Sequence, residues 1–201
     1  MVEQSLWMQK VAEDPGHSQW YIERFRAMAR AGDDLVGEAR LVDAMAPRGA
    51  RILDAGCGPG RLGGYLATAG HHVVGVDVDP ALIEAAEQDQ PGPRWLVGDL
   101  AELDLPTRGI TQPFDVIVAA GNVMTFVAPS TRRRVLDRLR AHLGADARLV
   151  IGFGAGRDYP FAEFFDDAAA VDLVPDLLLS TWDLRPFTQD ADFLVAILRS
   201  G

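Results

Sequence analysis

Cysteine and lysine are almost absent: Cys57 and Lys10 are each the sole example among 201 residues. A lone cysteine excludes an internal disulfide framework and any multi-cysteine zinc site. No run approaches the length of a membrane span, so no transmembrane helix and no membrane partner are expected. The first ten residues carry Glu3 and Lys10 and lack an apolar core segment, which does not read as a secretory signal. The expected compartment is the cytoplasm. Positive charge is also scarce, with 19 basic residues against 29 acidic ones and a net charge of −10. A nucleic-acid partner needs a basic face to displace counterions, so none is expected. The one dense basic run, Arg132-Arg133-Arg134, reads as the exposed face of a helix, with a phosphate-binding patch as the other reading.

What is present is ordinary for a globular domain: 48% hydrophobic and 24% charged residues. That length supports a sizeable core in a single domain, 1–201, with an N-terminal helical cap over 1–48 and a core from 49 onward. In the cap, Ile22, Phe25 and Met28–Ala29 fall at three- and four-residue steps, predicting a helix from His17 to Ala31. Asp33 or Asp34 would cap the next helix, which Pro47-Arg48-Gly49 ends. From Arg51 the rhythm changes. Short apolar runs at Arg51–Ala55, His72–Asp77, Arg94–Val97, Phe114–Ala120 and Arg148–Phe153 suit strands buried on both faces. Helix-length stretches separate most of them, at Arg61–Ala69, Pro80–Gln88 and Ser130–Leu143. This alternation predicts an α/β fold with a parallel sheet and crossover helices. Leu177–Leu184 and Asp192–Arg199 follow each other across a short turn, which permits an antiparallel hairpin.

The informative segment is Leu53-Asp54-Ala55-Gly56-Cys57-Gly58-Pro59-Gly60-Arg61, a strand that enters a glycine-rich turn and then a helix. Glycines there allow close approach of a ligand to the backbone. Gly58, Gly60 and Gly63 match the G-x-G-x-x-G spacing, a weak signal alone. Two carboxylates sharpen it. Asp54 precedes the turn, where it would repel a pyrophosphate and attract an amino group. Asp77 ends the next strand, where an acid can accept both hydroxyls of a ribose. Asp79-Pro80 fills the helix-cap role better than Asp77, which leaves Asp77 for a ligand.

Together with Gly75-Val76-Asp77-Val78-Asp79-Pro80, Val97-Gly98-Asp99-Leu100 and Phe114-Asp115-Val116-Ile117-Val118, the glycine segment resembles class I S-adenosylmethionine-dependent methyltransferases over roughly residues 50 to 155. The resemblance implies a Rossmann-like, doubly wound seven-stranded sheet of order 3-2-1-4-5-7-6 with the last strand antiparallel. Its cofactor would be S-adenosylmethionine. Gly56, Cys57 and Gly58 would form the loop against the methionine part, with Asp54 near its ammonium and Asp77 on the ribose. Val78 and Leu100 would sandwich adenine, Asp99 would meet its exocyclic amine, and Ala119 and Ala120 would end the fourth strand near the methyl group. A bare loop-capping role for Asp99 stays open.

Departures from the family narrow the acceptor. After the fourth strand stands Ala120-Gly121-Asn122-Val123-Met124, without the Asn/Asp-Pro-Pro-aromatic run of members that methylate planar amino groups. No Asp-Asp-Asn metal set is present, so no metal is expected. A small-molecule methyl acceptor is therefore the expected partner. Pocket candidates are His17, Trp20 and Tyr21 in the cap, then Asn122, Met124 and Phe126. Phe153, Tyr159, Phe161, Phe164 and Phe165 follow, and Arg157 and Asp158 read either as a site for a charged substrate tail or as a solvated loop. His17 and Tyr21 share a helix face and are the candidate bases. The five later aromatics read either as core packing or as a lid over an apolar acceptor. The cap helix is expected to fold over the carboxyl ends of the strands. Two other functions compete: a non-catalytic S-adenosylmethionine or S-adenosylhomocysteine sensor, and an NAD-dependent oxidoreductase, against which Asp54 and the hairpin count.

Overall fold

A computed structural model describes residues 2–201. Three helices, α1 (Leu6–Glu13), α2 (His17–Ala31) and α3 (Gly37–Met45), precede a seven-stranded sheet. The strands are β1 (Arg51–Ala55), β2 (His72–Asp77), β3 (Arg94–Val97), β4 (Phe114–Ala119), β5 (Leu143–Gly154), β6 (Leu173–Leu179) and β7 (Phe193–Ser200). Their spatial order is 3-2-1-4-5-7-6, and only β7 runs against its neighbours. This is the topology the resemblance implies. The connecting helices are α4 (Arg61–Thr68), α5 (Pro80–Asp89), α6 (Val123–Phe126), α7 (Arg132–Arg140) and α8 (Phe161–Ala170).

The first four strands lie close to their expected bounds: β1, β2 and β4 are buried on both faces along most of their length, whereas β3, at the sheet edge, buries only Trp95 fully. Ile52, Leu53, Ile117, Val118 and Val150 lose all exposure to solvent. At about 25 cal/mol per Å² of apolar surface removed from water, such residues supply the main driving force for the sheet. Parallel pairing of β1 with β2 and β4 sets Asp54 beside Gly75 and Val118, so the carboxyl ends of β1, β2 and β4 form one edge.

Several expectations need correction. Helix α1 is additional: its eight residues are too few to hold alone, and Trp7, buried against other elements, anchors it. Neither Asp33 nor Asp34 caps α3, which begins at Gly37; Asp34 instead pairs with Arg40 at 2.6 Å. The arginine run is not one exposed face. Arg132 is buried, donates to the Asp158 carbonyl and lies 4.1 Å from the centre of the Tyr159 ring. Arg133 pairs with Asp167 and Arg134 donates to the Ala101 carbonyl, so these three cations tie α7 to other elements. The link between β6 and β7, residues 180–192, is longer than a turn and lays Trp182 over Gly152, where a Cβ would come within 2.2 Å of the indole.

Trp95 gives three glycines a purpose. Its indole on β3 would stand 2.2 Å from a Cβ at Gly75, 2.8 Å from one at Gly63 and 2.9 Å from one at Gly60. Two members of the G-x-G-x-x-G spacing therefore admit this ring between α4 and the sheet rather than a ligand. Gly75→Ala is expected to cost about 1–3 kcal/mol through overpacking against rigid indole atoms. In a Trp95→Leu background the same change should cost less, and denaturant unfolding of the four proteins measures the difference.

Candidate cofactor site

The glycine turn between β1 and α4 is held by backbone bonds to β2. The Gly56 and Cys57 N–H groups both donate to the Val76 carbonyl, and the Gly58 N–H donates to Asp77 Oδ2 at 2.8 Å. Gly56, Gly58 and Gly60 adopt φ of 77°, 54° and 80°, a region that only glycine enters cheaply. The tight turn is thus folded onto the end of β2.

A two-lobed cleft opens over this edge. The larger lobe, about 730 Å³ counting space open to solvent, includes Trp7, Asp77, Val78, Asp99, Leu100 and Phe126 in its wall. The smaller, about 360 Å³, includes Phe25, Asp54, Cys57 and Arg61. Tyr21, Gly56, Gly58, Ala120 and Gly121 line both and form the partition. These sizes and the sparse polar groups suit a small-ligand site.

Each lobe holds a buried acid. Asp54, 3% exposed, accepts from the Gly63 N–H at 3.0 Å. Burial pushes its carboxyl up to about 7, against the opposing pull of Arg61 and the Gly63 bond. Asp77 accepts from Gly58 and, through Oδ1, from the Asp79 N–H at 3.0 Å; burial likewise raises it to about 6. One N–H on each oxygen leaves each with a free lone pair. Arg61 spans Glu38 with two hydrogen bonds of 2.5 and 2.9 Å and also donates to the Leu35 carbonyl. Burial works to raise the Glu38 carboxyl, but the guanidinium outweighs it and the net shift is downward.

The remaining candidates separate cleanly. Tyr21 lines the cleft, and burial raises its phenol above the ordinary value, which disfavours the phenolate a base would need at neutral pH. His17 lies between Trp7 and Trp20, with ring centres 5.0 and 5.4 Å away, and is absent from both lobes. Trp20 is 55% exposed, carries Arg24 over its ring and lines neither lobe. Asn122 takes φ of 69° and accepts from the Gly154 N–H, joining the loop after β4 to β5. Tyr159 is 1% exposed, stacks on Phe153 and donates to Asp167. With Phe161, Phe164 and Phe165 it packs α8 on the sheet, so core packing is the role of these aromatics. Met124 is fully buried in the same core, while Arg157 and Asp158 are exposed.

Ala119 is sealed inside the sheet, and the strand end that reaches the cleft is Ala120-Gly121. Asp99 lines the larger lobe and caps the following turn by accepting from the Ala101 N–H at 2.8 Å. Gly56 gives up its side-chain space to Val123, whose methyl carbon would come within 2.5 Å of a Cβ there. At Gly58 a Cβ would meet nothing nearer than Tyr21, at 3.8 Å, and at Gly121 nothing within 4 Å, so these two glycines leave open space at the partition. Sequence reasoning missed Trp7, Phe25 and Arg61 as wall residues. Only Arg61 had a local signal, standing one residue past the glycine turn.

Comparison with known proteins agrees with this geometry. Residues 52–146 match the family described as "Methyltransferase domain". A TehB-like S-adenosylmethionine-dependent methyltransferase from Corynebacterium glutamicum is 51% identical, with 94% of this chain and 100% of that one covered and a TM-score of 0.88. Magnesium-protoporphyrin O-methyltransferase of Rhodobacter capsulatus is 33% identical over 140 residues, 66% of this chain and 57% of that protein. Malonyl-[acyl-carrier protein] O-methyltransferase of Pectobacterium atrosepticum is 30% identical over 105 residues, 52% of this chain and 40% of that protein. The chain thus spans about half the length of these two curated relatives. It belongs to the S-adenosylmethionine-dependent methyltransferases, whose cofactor is S-adenosylmethionine.

The raised carboxyls have a stability consequence. Both folded values lie above the usual carboxylate range, so between about pH 4 and 7 the folded state binds more protons than the unfolded one. These two groups therefore add stability as pH falls through that window and withdraw it as pH rises. Asp54→Asn is expected to stabilise the cofactor-stripped protein relative to wild type at pH 8, and to lose that advantage by pH 5. Denaturant melts at both pH values read the sign.

Proposed function

We propose that the protein transfers a methyl group from S-adenosylmethionine to a small-molecule acceptor, in the cytoplasm. The observation that carries this reading is the cleft itself: a slot at Gly58 between two buried carboxylates, Asp54 and Asp77, under Tyr21. When bound, S-adenosylmethionine supplies an electrophilic methyl group on a positively charged sulfur. Asp54 and Arg61, together in the smaller lobe, match the ammonium and carboxylate of an amino-acid tail. Asp77 offers its two free lone pairs to the ribose hydroxyls. Val78 and Leu100 hold the adenine faces, and Asp99 keeps acceptor capacity for the exocyclic amine after capping its turn. Ala120 and Gly121, common to both lobes, border the reacting methyl group.

The apolar wall of Trp7, Leu82, Val123, Phe126 and Val127 excludes water and favours a compact, weakly charged acceptor. Proximity and orientation can supply roughly 7–11 kcal/mol of the barrier. A general base is required only for an acceptor that arrives protonated, and the raised phenol of Tyr21 suits orientation rather than proton abstraction. The absence of the Asn/Asp-Pro-Pro-aromatic run and the net charge of −10 support a small acceptor over a nucleic acid.

Calorimetric titration should show binding of S-adenosylmethionine and S-adenosylhomocysteine and none of NAD. Asp77→Ala should weaken both sulfur ligands, since each hydrogen bond to a charged acceptor is worth about 1.5–3 kcal/mol. Incubation with methyl-labelled cofactor and a metabolite extract should move label into a low-molecular-weight product. Tight cofactor binding with no labelled product from any extract would favour the sensor reading; binding of NAD alone would overturn both.

A further inference from the structure

We infer that Asp79 is a positioning residue whose carboxylate latches the N-terminal helices over the cleft and so governs how long the cofactor stays. The inference rests on the cofactor reading of the cleft but on no assumption about the acceptor. Asp79 is 2% exposed. One oxygen, Oδ1, caps α5 by accepting from the Ala81 N–H at 2.9 Å. A helix cap needs no more than that. The other oxygen accepts from Trp7 Nε1 at 2.8 Å and from Ser18 Oγ at 2.5 Å, donors on two different helices far away in the chain. Hydrogen bonds to an ionised acceptor are about twice as strong as neutral ones.

The latch sits next to the ligand. The Asp79 N–H donates to Asp77, and Val78 between them lines the larger lobe. Trp7 lines the same lobe and packs edge-on against Tyr21 and Phe126, at 5.1 and 5.6 Å between ring centres. Opening the cap must therefore pull Trp7 from Asp79 and carry Tyr21 off the partition. The other polar tie between α2 and the core, Arg26 with Asp89 at 2.8 Å, lies at the surface where such pairs contribute little. The titratable groups facing the latch from the packed elements are Asp77 on β2, which accepts from the Asp79 N–H, and His17 on α2, whose ring centre lies 5.0 Å from that of Trp7.

Asp79→Asn separates latch from cap. Asn caps helices as well as Asp, but its single carbonyl oxygen cannot serve both Ala81 and Trp7, and its NH₂ would then face the indole N–H. The test compares wild type with Asp79→Asn, Ser18→Ala and Trp7→Phe, all full-length. Hydrogen exchange is followed over residues 6–31 and over 81–89, and dissociation of S-adenosylhomocysteine is timed by stopped flow. In each variant, exchange over 6–31 and ligand dissociation should both speed up by about tenfold, the scale of one lost bond to a charged acceptor. Exchange over 81–89 should stay at the wild-type rate. Asp79→Asn should add less in a Trp7→Phe background than alone, since the partner it repels is gone. Wild-type exchange over 6–31 in the variants, or equal loosening of 81–89, would overturn the latch. Failure of wild type to bind S-adenosylhomocysteine would instead overturn the cofactor reading, because the exchange measurement needs no ligand.

Discussion

The carboxylate of Asp77 holds the carboxyl edge of the sheet together. It accepts one N–H from the glycine turn after β1 and one from the start of α5, so two loops from separate crossovers close on a single buried acid. The cost is a charge kept out of water, visible in its raised proton affinity. Asp54 stands under the same constraint one strand away. Two desolvated acids side by side are poor for the folded state alone and well suited to a ligand with cationic and hydroxyl groups. On the proposed reading, the stability withheld by burial would become binding selectivity.

Much of this was legible in the sequence, for a local reason. Strands buried on both faces announce themselves as short apolar runs cut off by Gly, Pro or Asp, so β1 and β2 were readable to the residue, and the short edge strand β3 was bounded by its flanking Pro93 and Gly98. Asp54, Asp77 and the Asp79-Pro80 cap were readable too, because their positions relative to strand ends and helix starts are matters of a few residues. The topology followed from the resemblance of four segments in order.

What was not legible depends on partners distant in the chain. Helix α1 has a weak local pattern and exists through Trp7, whose partner Asp79 lies 72 residues further along the chain, just past the end of β2. The arginine run looks like a solvated face until each guanidinium is matched with a carbonyl or carboxylate on another element. Tyr159 looked like a pocket residue because it is aromatic and follows β5, yet its ring is enclosed by Phe153, Phe164 and Arg132. The G-x-G-x-x-G spacing was present as written, but Gly60 and Gly63 answer to Trp95, a residue with no local reason to be associated with them.

The scarcity of lysine acquires a use once the fold is known. Lys10 lies exposed on α1, three residues and less than one turn after the docked Trp7. Every other basic side chain is an arginine or a histidine. Amine-directed reagents, whether a fluorescent dye or an acetyl donor, therefore find their only side-chain target on the cap. The cap thus carries a unique side-chain amine, and the sheet and its crossover helices carry none.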